Sequence, residues 1–249
     1  RHIAEHFNEP VDVASSSLNE KGTVFGGKAN LKAGIDNMIK LYNPDLVGVL
    51  TTCLAETIGE DIDRMSAEYL AERGLVGYPI VPVSTPGYGD SHFNGFFQTT
   101  RKIVEKLSRE TMPTGMVNII IPNISPADIR EIKRIMRLFC LDYTLFPDFS
   151  DTLDAPYSKT FQKIPSGGTT VAEIGAMPGA VATIQFGLTV DERHLAGAFL
   201  RDRFGVPLYN IPIPTGLKCT DEFLEVLSKV SGRPIPPELQ TERGRLLDA

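Results

Sequence analysis

The sequence predicts an α/β fold, parallel sheets flanked by helices, and three observations carry the prediction. Short apolar runs rich in β-branched residues, LVGVL at 46–50, IVPV at 80–83, VNIII at 117–121 and ATIQF at 182–186, each fit a buried parallel strand. Between them stand segments whose apolar residues recur at helical spacing, the alternation of βαβ units. The 249 residues are 42% hydrophobic and 22% charged, enough to bury a core in one or two domains.

Taken in order, the first helix falls at 30–42, where Leu31, Ile35, Met38 and Ile39 repeat at helical spacing and Asn43-Pro44 breaks it. Strand 46–50 follows, then the turn TTCLAETIGED and a helix at 62–73 that Gly74 ends. Strand 80–83 leads through the polar loop STPGYGDSHFNG to a helix at 96–108. After Met112-Pro113 come strand 117–121, a helix capped by Ser125-Pro126 and running through Phe139, and strand 143–146. SGGTTVAEIG supplies a glycine-bearing loop and a short helix. Strand 182–186, a helix at 190–204, the run 207–213 and helical stretches at 221–231 and 237–247 complete the chain. These units divide it into an α/β domain at 1–112, a second at 113–216, and a helical segment at 217–249 leading toward a further domain.

Composition excludes several functions. With 25 Lys+Arg against 31 Asp+Glu, net −6, there is no basic block to track a phosphate backbone, so no nucleic acid is expected as partner. No apolar run approaches the roughly 20 residues a bilayer requires, so no membrane is expected either. The start, RHIAEHFNEP, lacks a signal-peptide pattern, and the cytoplasm is the expected compartment. Both ends read as cut from a longer chain. Cys53, Cys140 and Cys219 stand far apart without a CxxC pair, so neither a disulfide framework nor a self-contained metal site is expected. Any metal cluster borrows ligands from elsewhere.

Loops at the ends of parallel strands are where open α/β sheets bind ligands, which directs attention to TTCLAE and STPGYGDSH. Cys53 follows a strand at the mouth of a helix, where the dipole and free N–H groups favour a thiolate that ligates iron or attacks a substrate. The competing reading is a buried, inert cysteine. Glu56, Glu60 and Asp61 next to it read as helix-terminus charges. His92, in a glycine-flanked loop, is the histidine best placed for hydrogen bonding or proton handling, against a plain loop histidine. His2 and His6 have the i, i+4 spacing of a helical metal pair but no third ligand. Phe25-Gly26-Gly27 and Ser166-Gly167-Gly168-Thr169-Thr170 lack a P-loop ending and read as tight turns into helices. Cys140, after Phe139 on an apolar helix face, reads as core. No Ser-His-Asp arrangement with a nucleophile elbow is present.

Several stretches together resemble the β subunit of nitrogenase component 1: RHIAEHFNEPVDVASSS, VFGGKANLKAGIDN, TTCLAETIGED, VSTPGYGDSHFNGF, SGGTT and NIPIPTGLKCTDEFLEVLSKVSG, ending in ERGRLLD. The resemblance is collinear over essentially the whole chain. It implies Rossmann-like α/β domains, two of the family's three, and a cytoplasmic oxidoreductase complex. That complex reduces dinitrogen to ammonia with ATP-dependent electrons from an iron protein. An 8Fe-7S P-cluster is shared with an α subunit, three cysteines from each partner, and a second β subunit completes an α2β2 heterotetramer. The dinitrogen-reducing cofactor sits in the α partner, leaving electron relay and scaffolding to the β chain.

The resemblance maps Cys53 onto the third β ligand of the P-cluster. Gly87 stands where some members place a serine that binds a cluster iron when oxidised, and the glycine removes that ligand. His92 is implied beside the cluster, and the 1–112 domain carries the cluster-facing loops. Phe25 is implied at the docking surface for the iron protein. Glu9 and Asp248 correspond to an inter-subunit cation site, although Asn8 replaces a common arginine. Cys219, where some members have tryptophan, is implied as packing. The related scaffold that assembles the nitrogenase cofactor and a nitrogenase-like tetrapyrrole reductase are the alternatives. The chain alone is expected to hold no cluster, to be inactive, and to self-associate through its uncovered apolar surface.

Overall fold

The computed structural model describes residues 13–154, 156, 159–160, 163–164 and 167–248. They form parallel sheets flanked by helices, in two units: 1–107 with 152–166, and 108–151 with 167–249. The described residues from 217 onward fall inside the second unit.

In the first unit, Asn19 caps α1 (Glu20–Phe25), accepting from the Gly22 N–H at 2.9 Å, and Gly26 ends it at φ 91, a conformation that favours glycine. Gly27 then opens α2 (Lys28–Tyr42), which stops at left-handed Asn43. Strand β1 (Val47–Leu50) pairs in parallel with β2 (Ile80–Val83), Val47 opposite Ile80. Between them lie α3 (Cys53–Thr57) and α4 (Ile62–Arg73). Val47, Val49 and Ile80 bury themselves with Ile35 of α2 and Ile62 and Tyr69 of α4. Val81 and Val83 point the other way and are also buried, and α5 (His92–Leu107) packs on β2 with Phe97 and Val104 inside. Ion pairs Lys28–Glu68, Lys32–Glu72 and Asp36–Arg73 run along the α2–α4 seam, and the Tyr69 hydroxyl donates to Asp36 at 2.8 Å.

The second unit is one four-stranded parallel sheet in the order β4 (Tyr143–Phe146), β3 (Val117–Ile120), β5 (Ala182–Gln185), β6 (Leu208–Asn210). One face is apolar. Val117, Ile119, Leu145 and Ile184 meet Ile129, Ile132 and Met136 of α6 (Pro126–Leu138) and Phe223, Leu224 and Leu227 of α9 (Gly216–Ser231). Leu239 of α10 (Pro237–Leu247) joins the same core, and Arg134 of α6 reaches Glu238 at 2.9 Å and Glu242 at 2.7 Å. The other face buries Asn118, Thr144, Thr183 and Gln185. Asn118 donates to the Met177 carbonyl at 2.9 Å and to the Thr183 hydroxyl at 3.1 Å. Gln185 accepts from the Gly197 N–H at 2.7 Å and so caps α8 (Ala196–Phe204), whose own N-cap, Leu195, has no side-chain acceptor. Gly197 permits this approach: a Cβ there would lie 2.6 Å from Leu208 Cδ1 and 2.8 Å from Gln185 Oε1.

Three expectations are corrected. The helix expected at 96–108 starts four residues earlier, because the Ser91 hydroxyl accepts from the Asn94 N–H at 3.2 Å and its carbonyl from Gly95. The helix expected at 190–204 is interrupted: Asp191 accepts from Arg193 in a 3-10 turn (Glu192–His194), and Leu195 is extended before α8 begins. Cys140 is not core. It follows the α6 C-cap at φ 49, which turns its side chain to solvent while Phe139 takes the buried position.

Candidate functional site

Because β1 and β2 run in parallel, their C-terminal loops emerge side by side. Buried Thr51 joins them: its hydroxyl accepts from the Thr85 N–H at 2.8 Å, and the Thr85 hydroxyl donates to its carbonyl at 3.0 Å. This brings Cys53 against Gly87, although 34 residues separate them in sequence. The Gly87 N–H donates to Cys53 Sγ at 3.1 Å, and a Cβ added at Gly87 would lie 3.3 Å from that sulfur. Cys53 is the first residue of α3 and is exposed, and the Thr57 hydroxyl donates to its carbonyl at 2.7 Å. Leu50, Leu54, Tyr88 and Phe93 are exposed on the same strand-end segments, Leu50 at 59% and Tyr88 at 64%.

The three acidic residues after Cys53 have different partners. Asp61 caps α4, accepting from Arg64 N–H at 2.9 Å. Glu60 accepts from the Gly27 N–H at 2.5 Å, so it serves the start of α2, 33 residues back. Glu56 is no helix-terminus charge in that sense: the Ser84 hydroxyl donates to it at 2.6 Å. That donor, then the Thr51 hydroxyl, hold the Glu56 carboxyl below its ordinary range. The Asp61 cap is local, but the Glu60 and Glu56 contacts have no local sequence signal, since each partner lies on another segment 33 or 28 residues away.

His92 is the first residue of α5 rather than a loop residue. It is exposed and makes no hydrogen bond to Cys53 or Gly87. Phe25 closes α1 with 81% of its surface exposed. Cys219 lies half-buried in α9. Asp248 is the exposed C-cap of α10, while Glu9, His2, His6 and Ser166 lie outside the described residues. Thr170 and Glu173 form a capping box on α7 (Val171–Ala176), so the end of the SGGTT loop serves a helix start. Among the described residues no three His, Cys, Asp or Glu side chains converge as a metal site.

Residues 1–249 match the family model described as nitrogenase component 1 type oxidoreductase. The chain belongs to the nitrogenase component 1 family. It is 34% identical over 249 residues to the nitrogenase molybdenum-iron protein beta chain of Clostridium pasteurianum, covering 99% of this chain and 54% of that one. The counterpart from Methanothermobacter marburgensis is 37% identical over 258 residues, and the nitrogenase vanadium-iron protein beta chain of Trichormus variabilis 33% over 253. The solved structure "Nitrogenase Cp1 at pH 6.5" superposes with a TM-score of 0.93 at 34% identity, covering all of this chain and 54% of that one. The chain thus spans about half the length of the curated relatives it matches.

The family implies iron–sulfur clusters in the full complex, and the residues present fit one contribution to such a group. Cys53 is exposed, and its sulfur accepts from the Gly87 backbone N–H at 3.1 Å. A backbone N–H directed at a ligand sulfur is a standard means of tuning a cluster's potential. One cysteine sulfur is a single donor, not a complete site.

Proposed function

We propose that this chain is the portion of a nitrogenase component 1 β subunit that contributes the Cys53 thiolate to an 8Fe-7S P-cluster shared with the α subunit. In this reading the β chain relays electrons from the iron protein for ATP-dependent reduction of dinitrogen to ammonia. The observation that carries it is the position of Cys53: at the end of β1, exposed, with its sulfur held by Gly87.

Each residue near the sulfur has a separate task. The Thr51–Thr85 pair fixes the two loops, and the Gly87 N–H orients Sγ. Glu56, held ionised by Ser84 and Thr51, keeps its charge on those hydroxyls. When bound, the cluster supplies one-electron redox chemistry, which no side chain here provides. His92, exposed at the start of α5, is proposed to face the cluster edge. The apolar residues Leu50, Leu54, Tyr88 and Phe93 are proposed to be covered by the α subunit, and Phe25 to meet the iron protein. Asp248 is proposed, with Glu9, as part of a cation site toward a second β subunit. Alone, the chain is proposed to be inactive.

Differential alkylation tests the reading. In the free chain Cys53 and Cys140 are both exposed and both label. In the complex of the full-length β subunit with its α partner, Cys53 is expected to be protected. Equal labelling of Cys53 in free and assembled protein would overturn the proposal and favour the cofactor-assembly scaffold.

A further inference from the structure

Among the described residues, Glu60 joins the exposed Phe25 turn to the segment carrying Cys53 through a side-chain and a backbone hydrogen bond. On one side its carboxylate accepts from the Gly27 N–H at 2.5 Å, two residues beyond Phe25. That N–H belongs to the start of a 15-residue helix, where a carboxylate meets both an unsatisfied donor and the positive end of the helix dipole. On the other side the Glu60 backbone is tied to α3: its N–H donates to the Ala55 carbonyl at 3.0 Å, Gly59 to Glu56 at 3.1 Å, and Ile58 to Leu54 at 3.1 Å. The run from Cys53 to Glu60 is therefore one hydrogen-bonded body, and its far end grips the turn that displays Phe25. Glu60 is half-buried, so water competes weakly for the bond.

We propose that Glu60 is a positioning residue that locks the exposed Phe25 turn to the α3 segment, so that an electron-donating protein seated on the Phe25 ring is held in fixed register with the Cys53 thiolate. The proposal rests on the docking and relay reading above and adds the element that couples its two ends. A donor pressing on Phe25 bears on Gly27, and through Glu60 on the helix whose first residue is Cys53.

The test compares Glu60→Ala, Glu60→Gln and Phe25→Ala in the full-length β subunit assembled with its α partner. Three quantities are read: hydrogen exchange of the Gly27 amide, iron content, and apparent affinity for the iron protein. Glu60→Ala is expected to speed exchange at Gly27, to leave iron content unchanged, and to weaken donor binding roughly tenfold, the factor equal to about 1.4 kcal/mol. Glu60→Gln, whose carbonyl accepts the same bond, is expected to restore protection and most of the affinity. If Glu60→Ala binds the donor like wild type while Phe25→Ala binds weakly, Glu60 only caps α2 and the proposal fails while the docking reading stands. Loss of iron in Glu60→Ala would likewise overturn it, by making the residue structural. If Phe25→Ala itself binds like wild type, the docking reading falls, and this proposal with it.

Discussion

A cysteine at a strand end is legible in a sequence, but what touches it is not. TTCLAE after an apolar run places Cys53 at a strand-end turn, and the alternative of a buried, inert thiol is set aside by its exposure. Its contact with Gly87 arises from strand pairing, which no local pattern encodes; the resemblance alone had put both residues in cluster-facing loops. The same holds for Glu56, whose partner Ser84 is 28 residues away. That pair yields a pH prediction. Because the Ser84 hydroxyl lowers the folded-state value of Glu56 below the ordinary 4.5, the stability it adds is fully present above pH 4.5 and is lost as pH falls through the lowered value. Ser84→Ala is therefore expected to unfold at lower urea concentration than wild type at pH 7, with the gap closing on acidification. Chemical denaturation at a series of pH values measures it, and a gap that widens in acid would contradict the assignment.

Elements are most legible where the apolar pattern is continuous and least legible where polar residues shape the backbone. Strand Ile80–Val83 and helix Ile62–Arg73 stand where the sequence places them, because β-branched runs and a Gly stop leave little alternative. The start of α5 is not legible locally, because SHFN has the composition of a loop and only the Ser91 cap makes it helical. The polar inner face of the second sheet was not anticipated either: Asn118, Thr183 and Gln185 sit in apolar strands, and Gln185 does for α8 what its N-cap Leu195 cannot. At this scale Gly197→Ala is expected to destabilise the second unit by about 1–3 kcal/mol, since its methyl would press on Leu208 and Gln185 in a packed interior. Urea unfolding checks the figure, and a variant as stable as wild type would mean that α8 shifts freely on the sheet. Phe223→Ala, on the opposite apolar face, is expected to cost about 3–5 kcal/mol by the same measurement.

Over the whole molecule, family and fold class are settled by the match along all 249 residues, while the activity proposed above requires an assembly with an α subunit. The first unit leaves Leu50, Leu54, Tyr88 and Phe93 open around Cys53. The chain alone is expected to self-associate as its concentration rises, and Tyr88→Ser with Leu54→Asp to reduce this in sedimentation; monomers at every concentration would remove the argument that this surface awaits a partner. The proposed function stands or falls with Cys53 as a ligand of cluster iron. The measurement that tests it most directly is an iron count on the full-length β subunit assembled with its α partner, with and without Cys53→Ala. Cys53→Ala is expected to lose the irons of the shared cluster together with electron transfer from the iron protein. Unchanged iron and unchanged transfer would make Cys53 a bystander.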